Sequence, residues 1–398
     1  MNENQEIFTA DQFRQQALEL SQAVAELQRR DAVTIDPQDP FDNETEFHDY
    51  AEDYGEIVPQ IRIPGCHIPL KPNRRERSRI RHYHNTVGGA LLLHFVVSNA
   101  LAIALMALVT ALLYAIDTVR AGGTLPPGYD LRAETLLYDG STMTAVNLLI
   151  FGLVNAVTAL IGLRVTKIRP ASLFRTKGFT IWHAAAYICI IITIQCTMGY
   201  AADFLTDMLS SVGIEPYEAD FETLPEIKCT ILSVIYSILI APVTEELLMR
   251  GFVLKNLSRV SQRFGIFMSA FLFGVWHENL GQFLLAFVGG IFFGYLAVKH
   301  DSLLPSIVCH MFVNGVAELF SICDTYGWYD LYDVLDMIYM GVAAFGVILL
   351  VVMFIRERLP KTVPAQTERG LRITLTSPLL LIAIAAHVGA AVYYTLYE

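Results

Sequence analysis

Charge is scarce in this chain. Of its 398 residues only 17% are charged, against roughly 25% in an ordinary soluble domain. Lys and Arg number 28 and Asp and Glu 39, a formal net charge of −11. A chain this poor in cations has no electrostatic footprint for nucleic acid. Cysteine is sparse too: six residues, scattered, with no CxxC and no metal-finger spacing. Cys189, Cys196 and Cys309 fall inside apolar runs and read as inert core residues, while Cys229 and Cys323 could form a bridge at an outer membrane edge. The first residues, Met1 to Gln28, lack a basic region followed by an apolar core, so no cleavable signal is expected there. There is also no His-Glu-x-x-His, the pattern that puts two metal ligands on one helical face.

Apolar residues are abundant: 54% of the chain, with a mean hydropathy of +0.45. The acidic excess is local. Residues 1–70 hold 4 basic and 15 acidic residues, and residues 71–398 hold 24 of each. A neutral, apolar body therefore follows an acidic tail. Apolar runs of about the length that crosses a bilayer occur near 87–116, 143–163, 181–201, 229–249, 264–281, 282–298, 303–322, 334–355 and 377–396. The segments between them alternate in charge. Residues 71–82, 164–177, 250–263 and 356–372 are basic, whereas 117–139, 203–228 and 318–336 are acidic. Basic segments face the cytosol. The expected fold is an all-α polytopic membrane protein of about eight to nine transmembrane helices, with a cytosolic N-terminal extension and the C-terminus outside. Three regions are expected: an acidic tail with a basic membrane-proximal segment at 1–82, a core at 83–355, and a basic loop with an extra C-terminal helix at 356–398. In the tail, Thr9 and Gln12 form a capping-box pattern ahead of an apolar stripe at Phe13, Ala17, Leu20, Val24 and Leu27. The stripe suits a solvated helix or a docking element for an unidentified partner.

Ionisable groups inside apolar spans are costly and mark function by default. The fourth run ends in Glu245-Glu246-Leu-Leu-Met-Arg250, the fifth contains Phe273-Gly-Val-Trp-His277, and the seventh contains His310-Met-Phe-Val-Asn314. At 1.5 Å per residue these groups reach similar depths from the cytosolic side. Glu246 and Arg250, four apart, share a face and can pair. His310 and Asn314 likewise share a face and can present N–H donors to one point. Glu318 continues that face towards the outer end, where a solvated role is expected. Gly290 and Gly294 have the GxxxG spacing that permits close helix packing. His94 and His387 lie in spans outside these motifs and read as packing or polar-contact residues. His48, His67, His82 and His84 belong to the tail or its basic junction and carry no signal. Cys309 diverges from His310 by about 100° on a helix, which argues against a Cys–His nucleophile.

The ordered set Glu-Glu-x-x-x-Arg, Phe-x-x-x-His and His-x-x-x-Asn on separate membrane helices resembles the CAAX protease and bacteriocin-processing (CPBP, Abi) family, which includes type II CAAX prenyl endopeptidases. The resemblance covers about residues 140–355. It implies a metal-free intramembrane endopeptidase of the glutamate type. Glu245 and His277 would activate water, His310 and Asn314 would form the oxyanion hole, and Glu246, Arg250 and Phe273 would support them. The chemistry of the residues agrees: a carboxylate in a low-dielectric cavity suits a general base, and His and Asn donors suit an oxyanion. The implied partners are the lipid bilayer and a membrane-associated peptide or protein, prenylated or bacteriocin-like, with no nucleic acid. The family's spread implies a bacterial plasma membrane. Three alternatives stay open. Glu245, His277 and His310 could hold zinc, the fold could sequester a partner as a non-catalytic immunity protein, or the polar groups could relay protons in a transporter. The transporter reading lacks the paired repeat with broken helices.

Overall fold

The computed structural model describes residues 15, 18, 19 and 22 of the tail and residues 74–123, 140–175, 178–217, 227–356 and 371–397. The capping box and the extended acidic segment of the tail lie outside the described residues. Among the described residues the architecture is all-helical. The main helices are α1 (Arg74–Arg120), α2 (Gly140–Val165), α3 (Ile181–Ser210), α4 (227–257), α5 (Gln262–Trp276), α6 (Leu280–His300), α7 (Leu304–Thr325), α8 (Tyr329–Arg356) and α9 (Pro378–Tyr397). Eight of the nine, all but α5, are long and apolar enough to cross a membrane. This is the multi-pass, all-α membrane fold expected from the apolar runs.

Local chemistry sets the helix ends. The side chains of Thr180, Ser261 and Asn279 accept from the backbone N–H groups of His183, Phe264 and Gln282, capping α3, α5 and α6. Asp301, left-handed at φ 52°, ends α6, and Pro305 opens α7 where a missing N–H costs nothing.

Helices α5 and α6 form a hairpin at the centre, with α4 and α7 against it. Helices α1 and α9 pack together on one flank beside α2, and α3 pairs with α8 on the other. The main core cluster joins α1, α2, α4, α5, α6, α7 and α9, and a second one joins α3, α6 and α7 around Tyr187, Ile191, Phe292 and Cys309. Gly88 makes the α1–α9 crossing possible: a Cβ there would run into the backbone of Leu379 and Leu380. Gly290 and Gly294 bring α6 close, though less tightly, to Ala270 and Ile266 of α5.

The structure corrects several expectations. The fifth apolar run, 264–281, is not one span. Helix α5 stops at Trp276 after 15 residues, about 22 Å, which is short of a hydrocarbon core of about 30 Å. Hydropathy averages across the Trp276–Asn279 turn because its polar groups satisfy one another. Residues 250–263 are not a solvated basic loop. Helix α4 continues to Leu257, and Arg250, Lys255, Asn256 and Arg259 are all buried. Their charge is absorbed internally: Arg250 pairs with Glu246, and Arg259 lies 3.8 Å above the Tyr83 ring. The basic junction from Arg74 onward is helical and continuous with the first span, so residue 82 falls inside α1. Within it His84 is buried, stacked on Phe264 and near Thr374. Cys323 is a free, buried thiol, so it forms no bridge to Cys229, whose side chain lies outside the described residues. Glu318 is half-buried rather than fully solvated: its Oε1 is enclosed without a hydrogen-bond partner among the described residues, and α7 continues for two more turns to Thr325.

Candidate active site

Helix α4 carries the two adjacent carboxylates, and its backbone is irregular on both sides of them. Two π-helical segments, Tyr236–Ile240 and Leu247–Leu254, flank the α-helical stretch Ala241–Glu246. Such bulges are rare and cluster at functional sites. Pro242 gives the first one a consequence. In π geometry the N–H of residue i bonds the carbonyl of i−5, as Ala241 does to Tyr236. Pro242 has no N–H to offer Ser237. Asn314 of α7 fills the gap: its Nδ2 donates to the Ser237 carbonyl at 2.9 Å.

The two glutamates have different surroundings. Glu246 is fully buried, with Oε1 2.9 Å from Arg250 Nη1 and 3.2 Å from His310 Nδ1. Arg250, also fully buried, donates to the Gly290 carbonyl and lies 4.4 Å from the centre of the Phe273 ring and 5.2 Å from that of Phe293. Besides Glu246 of its own helix, the backbone acceptor and both aromatic neighbours of Arg250 come from the α5–α6 hairpin. Glu245 keeps a side chain 12% exposed, and its ion-pair contact is His310 Nε2 at 3.8 Å. His310 thus stands between the carboxylates, stacked on Phe293 and edge-on to Phe273. Because a carboxylate only accepts, the Nδ1 facing Glu246 carries the proton.

His277 caps the C-terminal end of α5. Its Nδ1 lies 2.7 Å from the Phe273 carbonyl. A carbonyl also only accepts, so Nδ1 holds the hydrogen, and in the neutral ring Nε2 keeps a free lone pair. The Phe273 ring touches His277 at 4.8 Å between centroids and His310 at 5.9 Å. Phe273 is thereby the common neighbour of His277, His310 and Arg250. The turn after His277 supplies its own hydrogen bonds. Asn279 Nδ2 donates to the His277 carbonyl and to Gln282 Oε1, and Asn279 Oδ1 accepts from Gln282 N–H. Irregular backbone at membrane depth is tolerated when it is satisfied in this way.

The structure therefore brings Glu245, Glu246, Arg250, Phe273 and His310 into direct contact. Asn314 reaches α4 one turn further along α7, and His277 joins through Phe273. Zinc would need a third ligand beside Glu245 and His310. Among the described residues no three His, Cys, Asp or Glu side chains are grouped to hold a metal ion. Cys309 packs in the second core cluster. Sequence reasoning missed Trp276 and Glu278, which flank His277 and make contacts of their own, described below. The signal for Glu278 was present, as an acid inside an apolar run.

Residues 228–316 match the family model described as type II CAAX prenyl endopeptidase Rce1-like. No curated protein and no solved structure matches. The fold is that of a multi-pass, all-α membrane protein, and the family match indicates a protease-type helical segment within it. The match, from α4 into α7, supports a place in the CAAX protease family, and the matched segment holds all seven motif residues from Glu245 to Asn314.

Proposed function

We propose that the protein is a membrane-embedded, metal-free glutamate endopeptidase that cleaves a membrane-associated peptide, with Glu245 as the proton acceptor. The observation that carries this is the unequal pair: Glu246 is spent on Arg250 and His310, while the Glu245 side chain stays partly exposed beside His310 Nε2, with His277 reaching the same cluster through Phe273.

Glu245, helped by the free Nε2 of His277, takes a proton from water as its oxygen attacks the scissile carbonyl carbon. The carbonyl oxygen becomes an oxyanion. His310 serves it when doubly protonated, through Nε2–H, with Nδ1–H held on Glu246. Asn314 serves it through the amide hydrogen not used on Ser237. As the C–N bond breaks, the proton on Glu245 passes to the leaving amine, which restores the carboxylate. Glu246, Arg250 and Phe273 hold His310 and His277 in place.

The family description motivates a prenylated CAAX peptide as the first probe. Purified protein in detergent, given farnesylated and unmodified versions of one such peptide, should release the residues beyond the modified cysteine. Failure to cleave either peptide, together with no precursor accumulating in membranes of a Glu245→Gln strain, would contradict the proposal.

A further inference from the structure

The hairpin tip that carries His277 is held from both sides by helices outside the matched segment. On one side, the Trp276 indole Nε1 donates to Nδ1 of His94 in α1 at 3.4 Å, with the two rings edge to face at 5.2 Å. An indole N–H can only donate, so His94 Nδ1 is the acceptor and its hydrogen sits on Nε2. That nitrogen lies 2.6 Å from Oδ1 of Asn155 in α2. The donors and acceptors of this relay are mutually consistent, and His94 and Asn155 are both buried.

On the other side, Glu278 adopts φ +59°, a left-handed conformation that a residue with a Cβ avoids unless something holds it. Nδ1 of His387 in α9 lies 2.6 Å from Glu278 Oε1, and Phe95 of α1 packs edge-on against the His387 ring. His387 itself is buried. The residues on either side of His277 are therefore each tied to a histidine on a flanking helix. Those two helices are locked to one another at Gly88.

We propose that His94 and His387 are positioning residues for His277. By gripping Trp276 and Glu278, α1 and α9 fix where the His277 ring presents its free nitrogen to the reacting water. The two helices are thus working parts of the site. The inference rests on His277 assisting proton transfer.

The test combines hydrogen exchange with turnover on the full chain in detergent. In His387→Leu and in His94→Leu, amide exchange at residues 276–282 should rise by about tenfold or more, while α4 stays unchanged. Unchanged exchange at the tip overturns the proposal whatever the activity. Turnover separates positioning from bulk stability. Glu278→Gly relieves the left-handed backbone yet removes the grip, so it should unfold at or above the wild-type temperature while kcat falls about tenfold to a hundredfold, with KM unchanged. His387→Asn, whose amide N–H can replace Nδ1–H, should recover most of the kcat lost in His387→Leu. Wild-type kcat in Glu278→Gly, or no recovery in His387→Asn, would overturn the proposal. If His277→Ala itself keeps full turnover, it is the catalytic reading of His277 that fails.

Discussion

Within one helical turn of α4, the site has a closed half and an open half. The closed half is Glu246, Arg250 and one edge of His310: fully buried, neutralised, and wrapped by Phe273 and Phe293. The open half is Glu245, the other edge of His310, and His277 beyond Phe273, with oxygen and nitrogen lone pairs uncommitted. Two neighbouring carboxylates so differently placed are suited to different work. A buried charge with its partner supplied holds the structure. A carboxylate with a partner at 3.8 Å can exchange protons.

This contrast can be broken from either side. The largest effect is expected in the closed half. Arg250→Ala leaves the buried Glu246 without its arginine, with the His310 contact remaining, and should cost about 3–5 kcal/mol, read as a fall in thermal midpoint in detergent. A midpoint within a degree or two of wild type would mean that the ion pair carries no structural load. Next comes Asn314→Ala in the open half, which removes an oxyanion donor and should lower kcat by about 10²–10³. A change in KM alone would reassign Asn314 to substrate binding. Gly88→Leu should separate α9 from α1 and raise exchange at the hairpin tip without disturbing Glu246 and Arg250. Equal exposure of both regions would mean that the flank and the closed half unfold together. The smallest effect is expected on chelation. Prolonged EDTA or phenanthroline treatment should leave turnover unchanged, and loss with recovery on added zinc would overturn the metal-free reading.

The catalytic candidates were legible because ionisable residues are rare in apolar runs. Glu245, His277, His310 and the polar Asn314 were weak signals singly, and their order and common depth made them a set. Eight of the nine runs coincide with helices long enough to cross a membrane. The ninth misled because a windowed hydropathy cannot register a turn whose polar groups bond one another, as Asn279 does with His277 and Gln282. The charge of Arg250 and Arg259 misled in the opposite sense: cations satisfied by an acid or an aromatic ring need no water, so the count over 250–263 overstated a loop. The π segments were hidden apart from Pro242. The Glu278–His387 contact joins residues 109 apart, and neither one alone predicts the other.

The central claim is a division of labour between adjacent carboxylates, and it is tested most directly by measuring turnover and thermal midpoint together for Glu245→Gln and Glu246→Gln. The account predicts that Glu245→Gln keeps the wild-type midpoint and loses about 10²–10⁴ in kcat, whereas Glu246→Gln lowers the midpoint. Undiminished turnover in Glu245→Gln would contradict it.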